Sequence, residues 1–202
     1  LAQVLTGLFE GEVQGSITVA GEEMTGRSPR EILDSGLGYV PEDREHDGLI
    51  SSFTVTENLV LDQVVHPPFS SGGVLKKSVI DDNATTLIEE FDVRTQGANA
   101  LVSSLSGGNK QKVVMAREIS RVVKVLVASQ PTRGVDVGSI EFLHKRLVEE
   151  RERPGAVALV RQRRGASAQD ARLVGGERIG DEYRRERETR QREEDDSETG
   201  AA

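Results

Sequence analysis

Ser106, Gly107 and Gly108 form the stretch best suited to chemistry. Two glycines let a backbone come close to a ligand. A helix starting behind them turns its free amides and the positive end of its dipole back on the same spot. An anion such as a phosphate suits that place. Ser106 can donate from its hydroxyl, and Lys110 and Lys112 carry positive charge into the first turns of the expected helix. The same residues also read as an ordinary serine N-cap beside a glycine turn. On these three residues alone, the plainer reading is favoured.

Other polar residues give weaker signals. Asp136 is placed to cap a helix beginning near residues 137–139, and Arg133 has acidic residues within reach for a solvated ion pair. Glu42, Asp43 and Arg44 read as a local acid cluster at a nucleotide edge or, the commoner case, as a polar loop of mixed charge. There is no cysteine, and the three histidines lie far apart, so no metal site is expected; His66 and His144 read as surface residues. A formal net charge of −8 and a sequence pI near 5.1 argue against binding nucleic acid or anionic lipid non-specifically. No apolar run approaches the roughly 20 residues that span a bilayer, and the first residues show no signal pattern. Association with a membrane would therefore go through a partner.

The elements that must hold these residues alternate between strand and helix. The spacing of apolar residues predicts a helix over 1–9, a strand over 16–20, a turn at Gly21-Glu22, a helix over 29–35 and a strand over 37–40 that stops at Pro41. Residues 42–105 read differently: a polar loop, a helix over 55–65, a turn at 67–73 and an amphipathic helix over 79–91. A helix follows Gly108, then a buried-type strand over 125–128, a turn over 131–134, a helix over 139–151 and a strand over 156–160. With no hairpin signal between strands, this implies an α/β fold: a mostly parallel sheet with crossover helices and a helical insertion. Beyond Arg161 the basic residues are all arginine and apolar periodicity is lost, so the tail reads as disordered or loosely helical.

LSGGNKQKVVMAREISR at 105–121 resembles the signature motif and helix of ABC ATPases, and QPTRGVDVGS at 130–139 follows at that family's spacing. GYVPEDREHDGL at 38–49, PPFSSGG at 67–73 and LIEEFDVRT at 87–95 extend the likeness to the second cassette of tandem ATPases that import simple sugars or nucleosides. The likeness covers residues 1 to about 160. It implies a P-loop NTPase-like cassette fragment, incomplete at its N-terminus. Its parts would be a partial ATPase core at 1–41, a helical and signature subdomain at 42–120, further core with a degenerate Walker B strand and D-loop at 121–160, and a divergent tail at 161–202.

The resemblance gives Ser106, Gly107, Gly108, Asn109, Gln111 and the D-loop residue Asp136 an ATP-binding role. The ATP would be held by the Walker A loop of an opposing cassette, with Mg²⁺ bound mainly by that partner. Other implied partners are permease subunits in the membrane, docked near residues 54–68, and indirectly a substrate-binding lipoprotein, with no nucleic acid. The chain would sit peripherally on the cytoplasmic face of the membrane.

The departures concern catalysis. The 202 residues contain no GxxxxGK(S/T) loop, which would lie just before Leu1. Ser129-Gln130 stands where the family has its acidic pair, Glu42 stands at the Q-loop glutamine, and no switch histidine follows Val160. No catalytic residue is therefore assigned, and an inactive fragment or regulatory partner is the alternative. A frameshift or recombination junction near Val160 would account for the tail. A missing first strand would leave a central sheet edge open.

Overall fold

The computed structural model describes residues 2–19, 21–152, 156–161 and 172–174. The chain opens on a single turn, α1 (Ala2–Leu5). The helix is shorter than its apolar spacing predicts. Thr6 folds its hydroxyl back onto the Ala2 carbonyl at 3.0 Å, and Gly7 takes φ 70°, the left-handed conformation that ends helices. β1 (Thr18–Val19) and β2 (Glu22–Glu23) then pair as a small antiparallel hairpin. The sequence showed the turn but not its second strand, because two glutamates carry no strand pattern.

α2 (Pro29–Asp34) begins with a capping box in which Ser28 and Glu31 each satisfy the other's backbone amide, with proline in the first turn. Behind it, β3 (Leu37–Val40) occupies the predicted span. The expected polar loop after it is instead a tight π-helical turn, Arg44–Gly48, whose first amides bond to Asp43. α3 (Val55–Val60) starts with a second capping box, Thr54 with Glu57. It ends five residues earlier than predicted: the chain passes into three-residue turns, Gln63 to Val60 and His66 to Gln63, ahead of prolines that cannot continue a helix. The PPFSSGG segment is a second hairpin, β4 (Ser70–Ser71) with β5 (Val74–Leu75), and α4 (Lys77–Glu90) follows.

After a 3₁₀ turn at Val102–Ser104, α5 (Gly107–Ile119) runs through the middle of the molecule, with every residue from Gln111 to Ile119 buried. β6 (Val125–Ser129), α6 (Val137–Glu152), β7 (Ala156–Arg161) and β8 (Arg172–Val174) complete the order. The main sheet runs β3-β6-β7-β8. The first three strands are parallel, in a register that sets Leu37 against Val125, and β8 is antiparallel to β7. This is the α/β architecture predicted, with one correction: three tail residues predicted as non-strand pair with β7. The rest of the tail lies outside the described residues.

Because side chains alternate across a strand, the sheet feeds two cores. Val40, Leu126 and Ala128 join the core built on α3, α4, α5 and α6. Leu37 and Val127 face the smaller one, with Val19, Met24 and Ile32. α5 is buried all round, so its N-terminus is fixed in space and can carry a site.

Candidate functional site

Ser106 is the N-cap of α5 and remains exposed. Its Oγ accepts from the Asn109 amide at 3.4 Å and from Asn109 Nδ2 at 2.9 Å. Asn109 is itself oriented, since its Oδ1 accepts from the Arg94 amide at 2.9 Å. With both acceptor positions engaged, the Ser106 hydroxyl keeps its proton for an acceptor arriving from outside. The cap reading and the anion reading thus describe one geometry.

Three segments converge on this turn. A β-carbon at Gly108 would overlap Ser139 Oγ and Asp136 Oδ2, and one at Gly107 would lie 2.7 Å from Arg44 Nη2 and 3.2 Å from the Gly134 carbonyl. A side chain at either position would push these neighbours aside. Asp136 caps α6, accepting from the Ser139 amide at 2.9 Å and its hydroxyl at 2.7 Å. Those two bonds hold its carboxyl below the usual aspartate range. Arg133 pairs with Glu42, the solvated ion pair the sequence favoured.

Two predicted contributors are placed elsewhere. Gln111 is 2% exposed, so it packs the helix instead of meeting a ligand. Lys112 is also buried, donating to the Asp92 carbonyl at 2.7 Å and carboxylate at 2.8 Å beneath the Phe142 ring. Its charge is therefore spent away from the turn. Lys110 stays at the turn but is bonded to Glu45 at 2.9 Å. Of the histidines, His66 is a surface residue beside Arg30 and Asp34, whereas His144 is partly buried.

The donors suit a phosphate: an outward hydroxyl, a glycine backbone and a helix N-terminus. They do not suit Mg²⁺. At the end of β6 only a buried serine hydroxyl and the Gln130 amide are offered, where a hard cation calls for carboxylate oxygen. Among the described residues no cluster of acidic or histidine side chains could hold a metal, and no helix is long and apolar enough to cross a membrane. Gln130 is held at φ 45°, uncommon for a residue with a β-carbon.

The family model described as ABC transporter matches residues 1–133. The chain belongs to the ABC transporter family. It is 46% identical over 160 residues to the nucleoside import ATP-binding protein NupA of Lactococcus lactis, covering 79% of this chain and 31% of that one. Against the guanosine import ATP-binding protein NupO of Bacillus subtilis the identity is 43%, with the same coverage. Against the glucose import ATP-binding protein TsgD13 of Haloferax volcanii it is 40%, covering 79% and 29%. The chain thus spans about a third of the length of these relatives. Among solved structures, an ATP-binding cassette captured as a dimer with ADP and Pi is similar at a TM-score of 0.60 and 19% identity, covering 81% of this chain and 74% of that one. A dimeric bacterial ABC transporter cassette gives the same values. These two establish the cassette fold.

The sequence placed Arg44 in a polar loop but did not show its contacts: it donates to the carbonyls of Arg133 at 2.8 Å and Gly134 at 3.1 Å. Its partners are backbone atoms in a segment far along the chain, so composition and spacing carried no trace of the contact.

Proposed function

We propose that this chain is the ATP-binding component of an importer for nucleosides or simple sugars, supplying the signature half of a composite ATP site. The carrying observation is that the exposed Ser106 Oγ, at the N-terminus of a buried helix, accepts two bonds from Asn109 and makes no bond as a donor among those described, which leaves its proton available to a ligand. The three relatives named for nucleoside, guanosine and glucose import support the transport assignment. ATP, when bound, supplies the phosphate charge and the bond whose cleavage drives transport. In this reading Ser106 donates to the terminal phosphate, the backbone of Gly107 and Gly108 lies against it, and Asn109 and Asp136 keep the turn and the neighbouring loop in place.

In this reading Mg²⁺ and the catalytic base come from a second cassette, because Ser129-Gln130 offers neither a metal-holding nor a water-polarising carboxylate; the phosphate-gripping loop that meets Ser106 is that cassette's. The helical part, residues 42–120, passes the change in the site to permease subunits, with the chain peripheral on the cytoplasmic face of the membrane and a substrate-binding lipoprotein one step removed.

The test is reconstitution with a cassette that bears an intact Walker A loop. The chain alone should turn over no ATP, the mixture should, and Ser106→Arg should abolish the gain while the circular dichroism spectrum stays unchanged. Full turnover with Ser106→Arg would sink the signature assignment. The neutral Ser129-Gln130 pair also favours a second reading, a regulatory partner without hydrolysis of its own. That reading is supported if the chain binds the other cassette and lowers its turnover.

A further inference from the structure

We propose that Arg44 is a positioning residue that ties the 131–136 loop to the signature turn, so that Ser106–Gly108 and Asp136 present themselves to a nucleotide as one unit. The inference rests on the ATP-site reading above and adds a residue to it.

Arg44 leaves the π-helical turn and places its fork on two consecutive carbonyls, Nη1 on Arg133 and Nη2 on Gly134. A planar guanidinium can bridge neighbouring acceptors in this way, whereas a lysine ammonium is a single point of charge. The fork lies against Gly107, so closely that a β-carbon there would stand 2.7 Å from Nη2. Nε is buried and without a hydrogen-bond partner, so the outer nitrogens carry the hydrogen bonding of the guanidinium.

The turn that bears Arg44 is itself fixed to both ends of α5. Glu45 bonds to Lys110 at 2.9 and 3.1 Å, and the Gly48 carbonyl accepts from Arg117 Nη1 at 2.9 Å. On the far side of the turn, the Asp136 carboxylate abuts Gly108. The loop carrying Asp136 is thereby clamped from two directions, by the guanidinium at Gly107 and by the α6 cap at Gly108. Arg133 reinforces the first clamp through its pair with Glu42.

The experiment combines Arg44→Lys, Arg44→Ala, Gly107→Ala and the double variant Arg44→Ala/Gly107→Ala. In Arg44→Lys, hydrogen exchange should speed up about tenfold, the worth of one strong hydrogen bond, at the Arg133 and Ser139 amides, which bond to Gln130 O and Asp136 Oδ1. The unfolding midpoint should hardly move. In the reconstituted mixture the same variant should raise KM for ATP more than it lowers kcat. Gly107→Ala should cost less in the Arg44→Ala background than alone, because its collision partner is gone.

Exchange rising across the whole chain together with a fallen midpoint would show a merely structural arginine and overturn the proposal. So would unchanged exchange and KM in Arg44→Lys when Ser106→Arg abolishes turnover. Full turnover by Ser106→Arg alongside the local exchange change would overturn the nucleotide assignment and sustain the tie.

Discussion

The two ends of α5 use the same kinds of side chain to opposite effect. At its N-terminus, Lys110, itself 13% exposed, is paired with a Glu45 carboxylate that is 50% exposed, Arg133 lies at the surface on Glu42, and Arg44, half-buried, lays its outer nitrogens on carbonyls. At the other end, Arg117, Glu118, Arg121 and Asp62 form a buried group with side chains no more than 11% exposed. Glu118 Oε1 lies 2.9 Å from Arg117 Nη2, its Oε2 lies 3.3 Å from Arg121 Nη2, and Arg121 Nε lies 3.0 Å from Asp62 Oδ2. Two positive and two negative groups face one another there. Charges in contact with solvent can change partners at little cost, whereas buried ones cannot. α5 thus has one end locked into the protein and the other within reach of solvent.

Removing Glu118 should break the contrast most severely. Glu118→Ala leaves Arg117 and Arg121 facing one carboxylate in the interior, and should cost about 3–5 kcal/mol in chemical denaturation. A loss under about 1 kcal/mol, the range of surface pairs, would show that the two ends are equivalent.

Asp62 sharpens the comparison through pH. Burial pushes its carboxyl above the usual aspartate range, and repulsion from Glu118 adds to this, against the pull of Arg117 and Arg121. Its Oδ2 approaches Arg121 Nε at an angle that makes no hydrogen bond. A raised folded-state value means the folded protein binds more protons than the unfolded one between the ordinary aspartate value and the raised one. The carboxyl's contribution is therefore present below that window and lost as pH rises through it. The stability of the wild type relative to Asp62→Asn should fall across the window, measured by denaturation at a series of pH values. A flat difference would show that the carboxylate is solvated like those at the open end.

The smallest effect belongs to Lys110→Met. Loss of its pair with half-exposed Glu45 should change stability by no more than about 1 kcal/mol, on the same denaturation curves. A larger loss would place Lys110 with the buried group.

What could be read from the sequence followed the reach of the interactions involved. β3 was legible because four residues between Gly36 and Pro41 carry a buried-strand pattern with a stop signal, and Ser106 because an N-cap is a local contract between a side chain and an amide three residues on. α3 came out too long because apolar spacing continues past Val60 while the backbone turns ahead of Pro67. Lys112 was assigned to the turn on linear proximity, yet a helix sends its residues round a circle, and that position faces Asp92 and Phe142. The Arg44 fork depends on contacts with residues 133 and 134, which only the assembled sheet brings near. The Ser106–Gly108 turn was therefore legible from the sequence, and the Arg44 contacts with its neighbouring loop were not.

The buried group at the end of α5 has one more consequence, for the width of the sheet. Gly36 O takes bonds from the Lys124 and Val125 amides on the β6 side, so by strand alternation the Leu37 carbonyl and the Tyr39 amide point the other way. Both are occupied: Arg121 Nη2 donates to Leu37 O at 2.7 Å, and the Tyr39 amide donates to Glu118 Oε2 at 3.0 Å. A foreign strand seeking to add at β3 would have to expel a guanidinium and a carboxylate from the interior first. Two of the four charges that anchor the helix, Arg121 and Glu118, thus act as a stopper against sheet growth, closing by side chain the border at which strands from other molecules would otherwise stack.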